Sequence, residues 1–429
     1  MQRSSEQINE LQFPGNVFRL DNGLTVIHQY LDSTSVVVAD VWVTAGARVE
    51  PDNWFGMAHF LEHMIFKGSK RVPPGAFDWV IENSGGMTNA ATSHDYAHFY
   101  ITTAAQYLPD TLPYFAEILL HASIPDEEFI RERDVVLEEI RCCQDDPDWI
   151  GYQAMCQSLY QNHPYGRSIL GEEHQLRQHT ANQMRCFHQA HYQPENMTVV
   201  IVGGVEQEAA LSLVNQTFAQ FRVRSECPPT EILAEPPLPG IRRNSLHLPR
   251  LSQARLLMAW TAPGVDLQGN VPLQDAFTLD MLSILLAGGR SSRLVRELVE
   301  EQQLVFDIGS DFSLQQDATL FTVSAWLEPQ YLELVEGIIR EHIWQLQTDP
   351  ITATELARCQ RLLCNDYAFS TETPGQLAGL YGYYNTIATA ELSVTYPYHI
   401  KQLCPEDLQR VAKQYLDPEK YVVTALKPA

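Results

Sequence analysis

Basic side chains are scarce in this sequence, which has 29 Lys and Arg against 53 Asp and Glu and a formal charge of −24. Nucleic-acid binding depends on clustered cations, so this balance argues against a general nucleic-acid binder and favours basic partners, including basic peptides. Charged residues make up only 19% and hydrophobic residues 45%, which excludes a disordered chain.

Long apolar runs are also missing. No stretch approaches the ~20 apolar residues of a membrane-spanning helix, and residues 1–10 lack the basic start and apolar run of a signal peptide. The eight cysteines are dispersed and form no Cys-x-x-Cys pair. We therefore expect reduced cysteines in a cytoplasmic protein that uses no membrane anchor.

The middle of the chain contains a proline-rich segment. Residues 224–243 hold five prolines and one glycine, which predicts an extended linker between domains at 1–223 and 244–429. The two blocks end alike, since residues 191–203 and 414–426 each contain a tyrosine, then Pro-Glu, then a β-branched run. This similarity predicts two homologous domains from an internal duplication.

Strand and helix patterns alternate within each block, which predicts α/β or α+β layers of helices on a sheet. In the first block we predict strands at 25–27, 35–44 and 93–103 and helices at 54–67, 106–121 and 126–144.

The strongest chemical signal is His59-Phe-Leu-Glu62-His63 on the helix predicted at 54–67. Residues four apart lie one turn apart, so both imidazoles project from one side with Glu62 in the same arc. The remaining residues are mostly apolar, so the helix is expected to be buried. Buried polar groups need partners.

A zinc ion would satisfy that need, because two imidazoles can share one tetrahedral ion. Glu62 would then stand beside the water in the open coordination position and could take its proton. The order His-x-x-Glu-His is the known inverzincin motif. The alternative is two core histidines and a helix carboxylate that are neighbours by chance.

A hydrolytic zinc site usually has a third protein ligand. On the helix predicted at 126–144, Glu132 and Glu139 are seven residues apart and flank the apolar stripe, whereas Glu138 points towards solvent. This geometry favours Glu139 as the ligand and Glu132 as a supporting carboxylate, with an ordinary solvated helix face as the alternative. His94 and His98 are four apart on a predicted strand, where they are too far apart to share an ion.

Together, residues 59–68 and Glu139 with its preceding residues 132–138 resemble the pitrilysin (M16) metallopeptidases. The resemblance is to the M16B branch, which includes mitochondrial processing peptidase β and bacterial relatives. Residues 85–92 resemble the family's substrate-binding edge strand, and residues 286–294 resemble a characteristic helix start of its second half.

The resemblance implies a zinc-dependent endopeptidase with an α+β fold that forms half of a clamshell around a peptide. It implies one Zn²⁺ per chain and assigns a role to each matching residue. His59, His63 and Glu139 would bind zinc, Glu62 would be the general base, Glu132 would support the site, and Asn89 and Ala90 would lie on the strand that pairs with substrate.

The sequence departs from the family at one point. Active members usually carry an Arg and a Tyr seven residues apart in the second half, but Val299 and Phe306 occupy those places here. Neither side chain can donate a hydrogen bond. We therefore expect a heterodimer in which a related subunit, lacking the zinc ligands, supplies the Arg and Tyr.

Three alternatives stay open. The chain could form a self-sufficient homodimer, it could be a non-catalytic structural or assembly subunit of the same fold, or it could be a metal-dependent enzyme of another kind, such as an esterase.

Overall fold

The computed structural model describes residues 12–264 and 273–429, which form two compact units. Residues 1–10, on which the prediction of no signal peptide rests, lie outside the described residues. Within the described ranges, no helix has both the length and the apolar character needed to cross a membrane.

The described residues form eleven strands and fourteen α-helices, which occur in groups along the chain. The strands are β1 Asn16–Arg19, β2 Thr25–Tyr30, β3 Val36–Val43, β4 Met87–Thr92, β5 Ala97–Ala104, β6 Met197–Gly203, β7 Arg242–Leu248, β8 Ala254–Pro263, β9 Val305–Leu314, β10 Ala318–Leu327 and β11 Val422–Pro428. The α-helices are α1 Met57–Ile65, α2 Ala76–Asn83, α3 Leu108–His121, α4 Asp126–Gln144, α5 Pro147–Leu159, α6 Glu173–Leu176, α7 Ala181–His191, α8 Gln207–Thr217, α9 Leu273–Ala287, α10 Leu332–Thr348, α11 Ala353–Phe369, α12 Pro374–Ile387, α13 Tyr396–Gln402 and α14 Pro405–Tyr415.

The first unit is built on a mixed sheet with strand order β1-β2-β6-β3-β5-β4. Strands β2 and β6 are parallel, and the other neighbours are antiparallel. Every residue of β6 is buried, and so are seven of the eight residues of β3, because both faces of these central strands are covered. At the outer edge, β4 alternates between exposed and half-buried residues.

The second unit repeats the order and directions of five of these strands, β2-β6-β3-β5-β4. Its sheet has the order β7-β11-β8-β10-β9, with β7 and β11 parallel and the other pairs antiparallel. The strands that follow the two similar Pro-Glu segments, β6 and β11, take the same place in their sheets. The α+β class and the internal duplication predicted from the sequence are therefore confirmed.

The two units are not continuous in sequence. Residues 142–166 belong to the second unit and residues 370–394 to the first, so the units differ from the predicted division at 1–223 and 244–429. Helix α5 contributes Met155 and Leu159 to an apolar cluster with Ala259 and Val422 of the second sheet. Each unit thus draws one helix from the other half of the chain.

Helix α12 makes the corresponding contact in the first unit. Leu377, Ala378 and Tyr381 pack against Val38 and Val200, and the Tyr381 hydroxyl donates a hydrogen bond to Gln29. A glycine permits close approach at both helix–sheet contacts: a Cβ on Gly382 would lie 2.0 Å from Nε1 of Trp42, and one on Gly151 would lie 2.8 Å from Cδ1 of Leu426.

Most predicted elements of the first block are present, with shifted ends. Helix α4 has the predicted bounds 126–144. The strand predicted at 93–103 begins at Ala97 instead, because residues 93–96 form the turn between β4 and β5, closed by a hydrogen bond from Ser93 N to Tyr96 O.

Candidate metal centre

Helix α1 carries the His-x-x-Glu-His motif and is buried along most of its length, as predicted. It begins at Met57, not directly after Asp52 and Asn53, which corrects the predicted start. Gly56 precedes the helix with φ of 83°. The carboxylate of Glu50 accepts hydrogen bonds from the amides of Gly56 (2.9 Å) and Ala58 (2.7 Å), so a distant glutamate satisfies the first helical N–H groups.

Three side chains from two helices converge in the first unit. The ring centroids of His59 and His63 lie 4.9 Å apart. From α4, Oε1 of Glu139 lies 3.6 Å from Nε2 of His59, and Oε2 of Glu139 lies 3.4 Å from Nε2 of His63. One ligand atom from each residue lies within 4.8 Å of the others. The structure therefore brings together the three residues that the sequence selected as ligands.

The spacing and chemistry of these donors fit a zinc ion. Zinc bonds of about 2.0–2.2 Å in a tetrahedron separate neighbouring ligand atoms by about 3.3–3.6 Å. The distances from the two carboxylate oxygens of Glu139, one to each imidazole, fall near that range. Two imidazoles and one carboxylate form a His₂Glu set, which leaves the fourth position of a zinc ion open.

Protonation of the two histidines differs. Burial lowers the pKa of His59 to about 4, so its imidazole is neutral and has a lone pair for a metal. Burial would also lower the pKa of His63, but the carboxylates of Glu132 and Glu139 outweigh it and raise that pKa to about 9. Two carboxylates around one imidazole thus favour a positive charge at this place, whether a proton or a metal ion.

Glu132 connects His63 to a lysine. One carboxylate oxygen lies 3.0 Å from Nδ1 of His63, and the other lies 2.6 Å from Nζ of Lys67. Burial acts to raise the pKa of Glu132, but the hydrogen bonds and charges of His63 and Lys67 outweigh burial. The pKa is lowered overall, so the carboxylate stays ionised. It can therefore fix the orientation of the His63 ring, as partners of ligating histidines commonly do. The Nδ1 atom of His59 is buried and has no hydrogen-bond partner within the described ranges.

Glu62 lies between the two histidines on α1 and is held from the sheet edge. The hydroxyl of Thr92, the last residue of β4, donates a 2.5 Å hydrogen bond to Oε2 of Glu62. Burial raises the pKa of Glu62, and the Thr92 bond and the charge of His63 act in the opposite direction. A carboxyl group with a raised pKa is suited to accept a proton near neutral pH.

Asn89 and Ala90 lie in the middle of β4, which is the outermost strand of its sheet among the described residues. They pair with Tyr100 and Phe99 on β5, and the opposite edge of β4 faces away from the sheet. Asn89 is exposed, and its side chain accepts a hydrogen bond from the Ala90 amide. Their predicted contact with substrate stays a prediction.

The other candidate residues lie in separate environments. Nδ1 of His98 lies 3.1 Å from Asp40, and Nε2 of His94 lies 3.1 Å from the carbonyl of Arg167. In the second unit, Val299 lies in a π-helical segment, Val295–Glu301. Phe306 lies on β9 and is 53% exposed. Neither of the last two side chains offers a hydrogen-bond donor.

Sequence reasoning missed three residues that hold the site: Glu50, Lys67 and Thr92. Glu50 is fully buried, and burial raises its pKa to about 8 against the effect of the helix amides. It lies seven residues before α1, outside any local capping pattern, so no sequence signal identifies it. Thr92 could have been found, because it shares the strand of the predicted substrate residues.

The duplicated fold and the motif-bearing helix agree with one family of proteins. A family model described as insulinase (peptidase family M16) matches residues 25–173, and one described as peptidase M16 inactive domain matches residues 178–363. The chain belongs to peptidase family M16.

Relatives cover nearly the whole chain. The zinc protease PqqE of Helicobacter pylori is 30% identical over 413 residues, which is 95% of this chain and 92% of that protein. The uncharacterized zinc protease YmxG of Bacillus subtilis is 25% identical over 362 residues, covering 83% of this chain and 84% of that one.

Solved structures share the fold. A protease from Helicobacter pylori aligns with a TM-score of 0.90 and 29% identity, covering 96% of this chain and 99% of that one. Pitrilysin aligns with a TM-score of 0.79 at 18% identity, covering 96% of this chain and 45% of pitrilysin; at that identity the likeness concerns the fold alone.

Proposed function

We propose that this chain is the catalytic, zinc-binding subunit of an endopeptidase. The observation that carries the proposal is the convergence of His59, His63 and Glu139, with Glu62 on the same helix as the two histidines. Membership of peptidase family M16 and the zinc proteases among the relatives support it. A scaffold role would not require three metal-binding side chains in one place.

The site residues of the first unit would have three roles: metal binding, proton transfer and orientation of a metal-binding histidine. His59, His63 and Glu139 would hold the zinc ion. A bound zinc ion would supply Lewis acidity and lower the pKa of a water molecule to about 7. Glu62 accepts the proton of the attacking water and can return it to the leaving amine, so that water is added across the peptide bond. Glu132 orients His63.

The edge strand β4 would bind the substrate backbone. An extended peptide can add to an exposed sheet edge through main-chain hydrogen bonds, and Asn89 and Ala90 lie on that edge. The chain has an excess of 24 negative charges, which would favour the approach of basic peptides.

The second half lacks a donor that active family members are expected to use. The side chains of Val299 and Phe306 cannot donate a hydrogen bond to a developing oxyanion. Loss of one such donor commonly costs about 10²–10³ in rate. We infer that the active enzyme is a heterodimer, in which a related M16 subunit supplies an Arg and a Tyr. A homodimer that stabilises the oxyanion by other groups is the second arrangement.

We also propose a cytoplasmic location, on the basis of eight free cysteines.

Cleavage assays of the chain alone and with each related chain from its own genome test this proposal. A quenched fluorescent peptide rich in Lys and Arg is the substrate, and Glu62→Gln is the control because it removes the base but leaves the metal ligands. We expect a rate increase of about 10²-fold or more with the correct partner, abolished by Glu62→Gln.

Full activity of the single chain would contradict the heterodimer. A folded chain that holds no zinc and cleaves nothing with any partner would favour the non-catalytic subunit.

A further inference from the structure

A basic cavity of about 540 Å³ lies in the first unit. Four cationic side chains, one histidine and one carboxylate provide most of its polar lining: Lys70, Arg71, Arg185, Arg222, His121 and Glu117. Its volume falls within the roughly 300–1,000 Å³ typical of small-molecule sites. These cations lie together although the chain has only 29 basic side chains against 53 acidic ones.

The turn after α1 presents two of the cations. The Ser69 hydroxyl accepts hydrogen bonds from the amides of Arg71 (3.0 Å) and Val72 (3.1 Å) and donates one to Glu117 (2.7 Å). These bonds fix the backbone of the turn, while the side chains of Lys70 and Arg71 are exposed. Within the described residues Lys70 forms no ion pair, and Arg71 reaches Glu117 only at 3.7 Å.

Two arginines from other segments complete the cavity. Arg222 donates to the carbonyl of His121 (2.7 Å) and forms no ion pair in the part of the chain that the structure describes. Burial and the charge of Arg185 lower the pKa of Arg222. Arg185 donates to the carbonyl of Ile124 (2.6 Å) and pairs with the largely exposed Asp126.

The charges in the cavity do not balance. Glu117 is the single carboxylate in the lining, and one of its oxygens already accepts the Ser69 hydrogen bond. Burial lowers the pKa of His121, and the charges of Arg222 and Arg71 lower it further against the effect of Glu117. A bound anion would offset this repulsion and raise the pKa of His121.

We propose that this cavity binds a small multivalent anion carrying phosphate groups. Arginine side chains recognise phosphate oxygens through two parallel hydrogen bonds, and lysine adds a compact charge. The cavity offers cations from three separate segments, at residues 70–71, 185 and 222, which can surround more than one phosphate group. The proposal does not depend on the zinc site.

Titration calorimetry of the full chain with inorganic pyrophosphate at constant ionic strength tests the proposal. The test variant is Lys70→Gln/Arg71→Gln, because both side chains are exposed and their loss should not disturb folding. The control is Arg19→Gln/Arg131→Gln, which removes the same charge from exposed positions of the same unit. We expect affinity to fall about ten-fold or more in the test variant and to change less than about two-fold in the control.

A second readout is local to the cavity. The proton NMR titration of His121, assigned with the variant His121→Gln, should shift to higher pH when pyrophosphate is present. Equal binding by the two double variants, binding no stronger than that of chloride at the same ionic strength, or an unchanged His121 titration would overturn the proposal. Citrate serves as the carboxylate probe: weaker binding of citrate supports the phosphate assignment, and equal or tighter binding contradicts it.

Discussion

The hydroxyl of Thr92 donates a hydrogen bond of 2.5 Å to Oε2 of Glu62. This bond connects the last residue of the edge strand β4 to the carboxylate that lies between the two histidines of α1. The strand proposed to bind the peptide and the residue proposed to act as base are therefore fixed relative to each other. A shift of strand β4 would therefore change the hydrogen bond to Glu62.

Replacement of Thr92 by Val should raise the pKa of Glu62, because the lost hydrogen bond lowers that pKa in the native protein. The proposed base must be ionised, so the acid limb of the kcat/KM profile should move to higher pH. Activity near pH 6 should fall about ten-fold, and the profile should converge with that of the native protein at alkaline pH.

Thr88→Val is the matched control, since Thr88 lies on the same strand and donates to the carbonyl of Tyr100. It should leave the position of the acid limb unchanged. Equal shifts in the two variants would mean that the strand, and not the contact with Glu62, determines the profile.

Glu132→Gln should weaken zinc binding about 10–100-fold without abolishing it, because the neutral amide orients His63 less firmly. Competition with a chelator of known affinity measures the change. Glu128→Gln removes a carboxylate one turn earlier on α4 that pairs with Arg131 instead. Its zinc affinity should match that of the native chain, and a comparable loss there would argue for a general effect of charge.

Gly382→Ala should destabilise the chain, because the added Cβ would lie 2.0 Å from Nε1 of the buried Trp42. Overpacking of this kind costs about 1–3 kcal/mol, measured by denaturant unfolding. Gly379 lies on the same helix with open space around its Cβ position. Gly379→Ala should therefore be neutral or stabilise by up to about 1 kcal/mol; equal destabilisation by both changes would contradict the close approach of α12.

Glu355 should make stability depend on pH in the acid range. Burial raises its pKa, but Arg293 (2.8 Å) and the Thr352 amide and hydroxyl outweigh burial and lower it to about 2. A carboxylate with a depressed folded-state pKa stabilises above its ordinary pKa of 4.5, and that contribution is lost as pH falls towards 2.

Thermal unfolding of Glu355→Gln between pH 7 and pH 3 measures this contribution. The Tm deficit of the variant should be largest at pH 7 and shrink below about pH 4.5. Glu300 pairs with Arg290 on the exposed surface, so Glu300→Gln should behave like the native chain throughout. A deficit that does not depend on pH would mean that Glu355 acts through packing alone.

The site residues on regular helices could be predicted from the sequence, because helical periodicity fixes which side chains share a face. This periodicity brought His59 and His63 together and separated Glu139 from the exposed Glu138. Glu50 could not be found in this way, since its contact with α1 depends on the path of an irregular segment.

The exchange of helices between the units could not be predicted either. Helices α5 and α12 contact strands that are distant in sequence, and their own patterns do not identify the sheet that they cover. The prolines at 224–243 predicted a linker between the two halves of the chain. The composition of each folded unit also depends on the long-range contacts of these two helices.

The zinc content of the purified chain, compared with that of Glu139→Gln and Glu138→Gln, tests the central claim most directly. These neighbours on α4 have different surroundings. Glu139 lies beside both histidines, whereas Glu138 is exposed and pairs with Arg141. Elemental analysis should find about one zinc per chain in the native protein and in Glu138→Gln, and a large loss in Glu139→Gln. Native protein without zinc, or equal zinc in the two variants, would contradict the account.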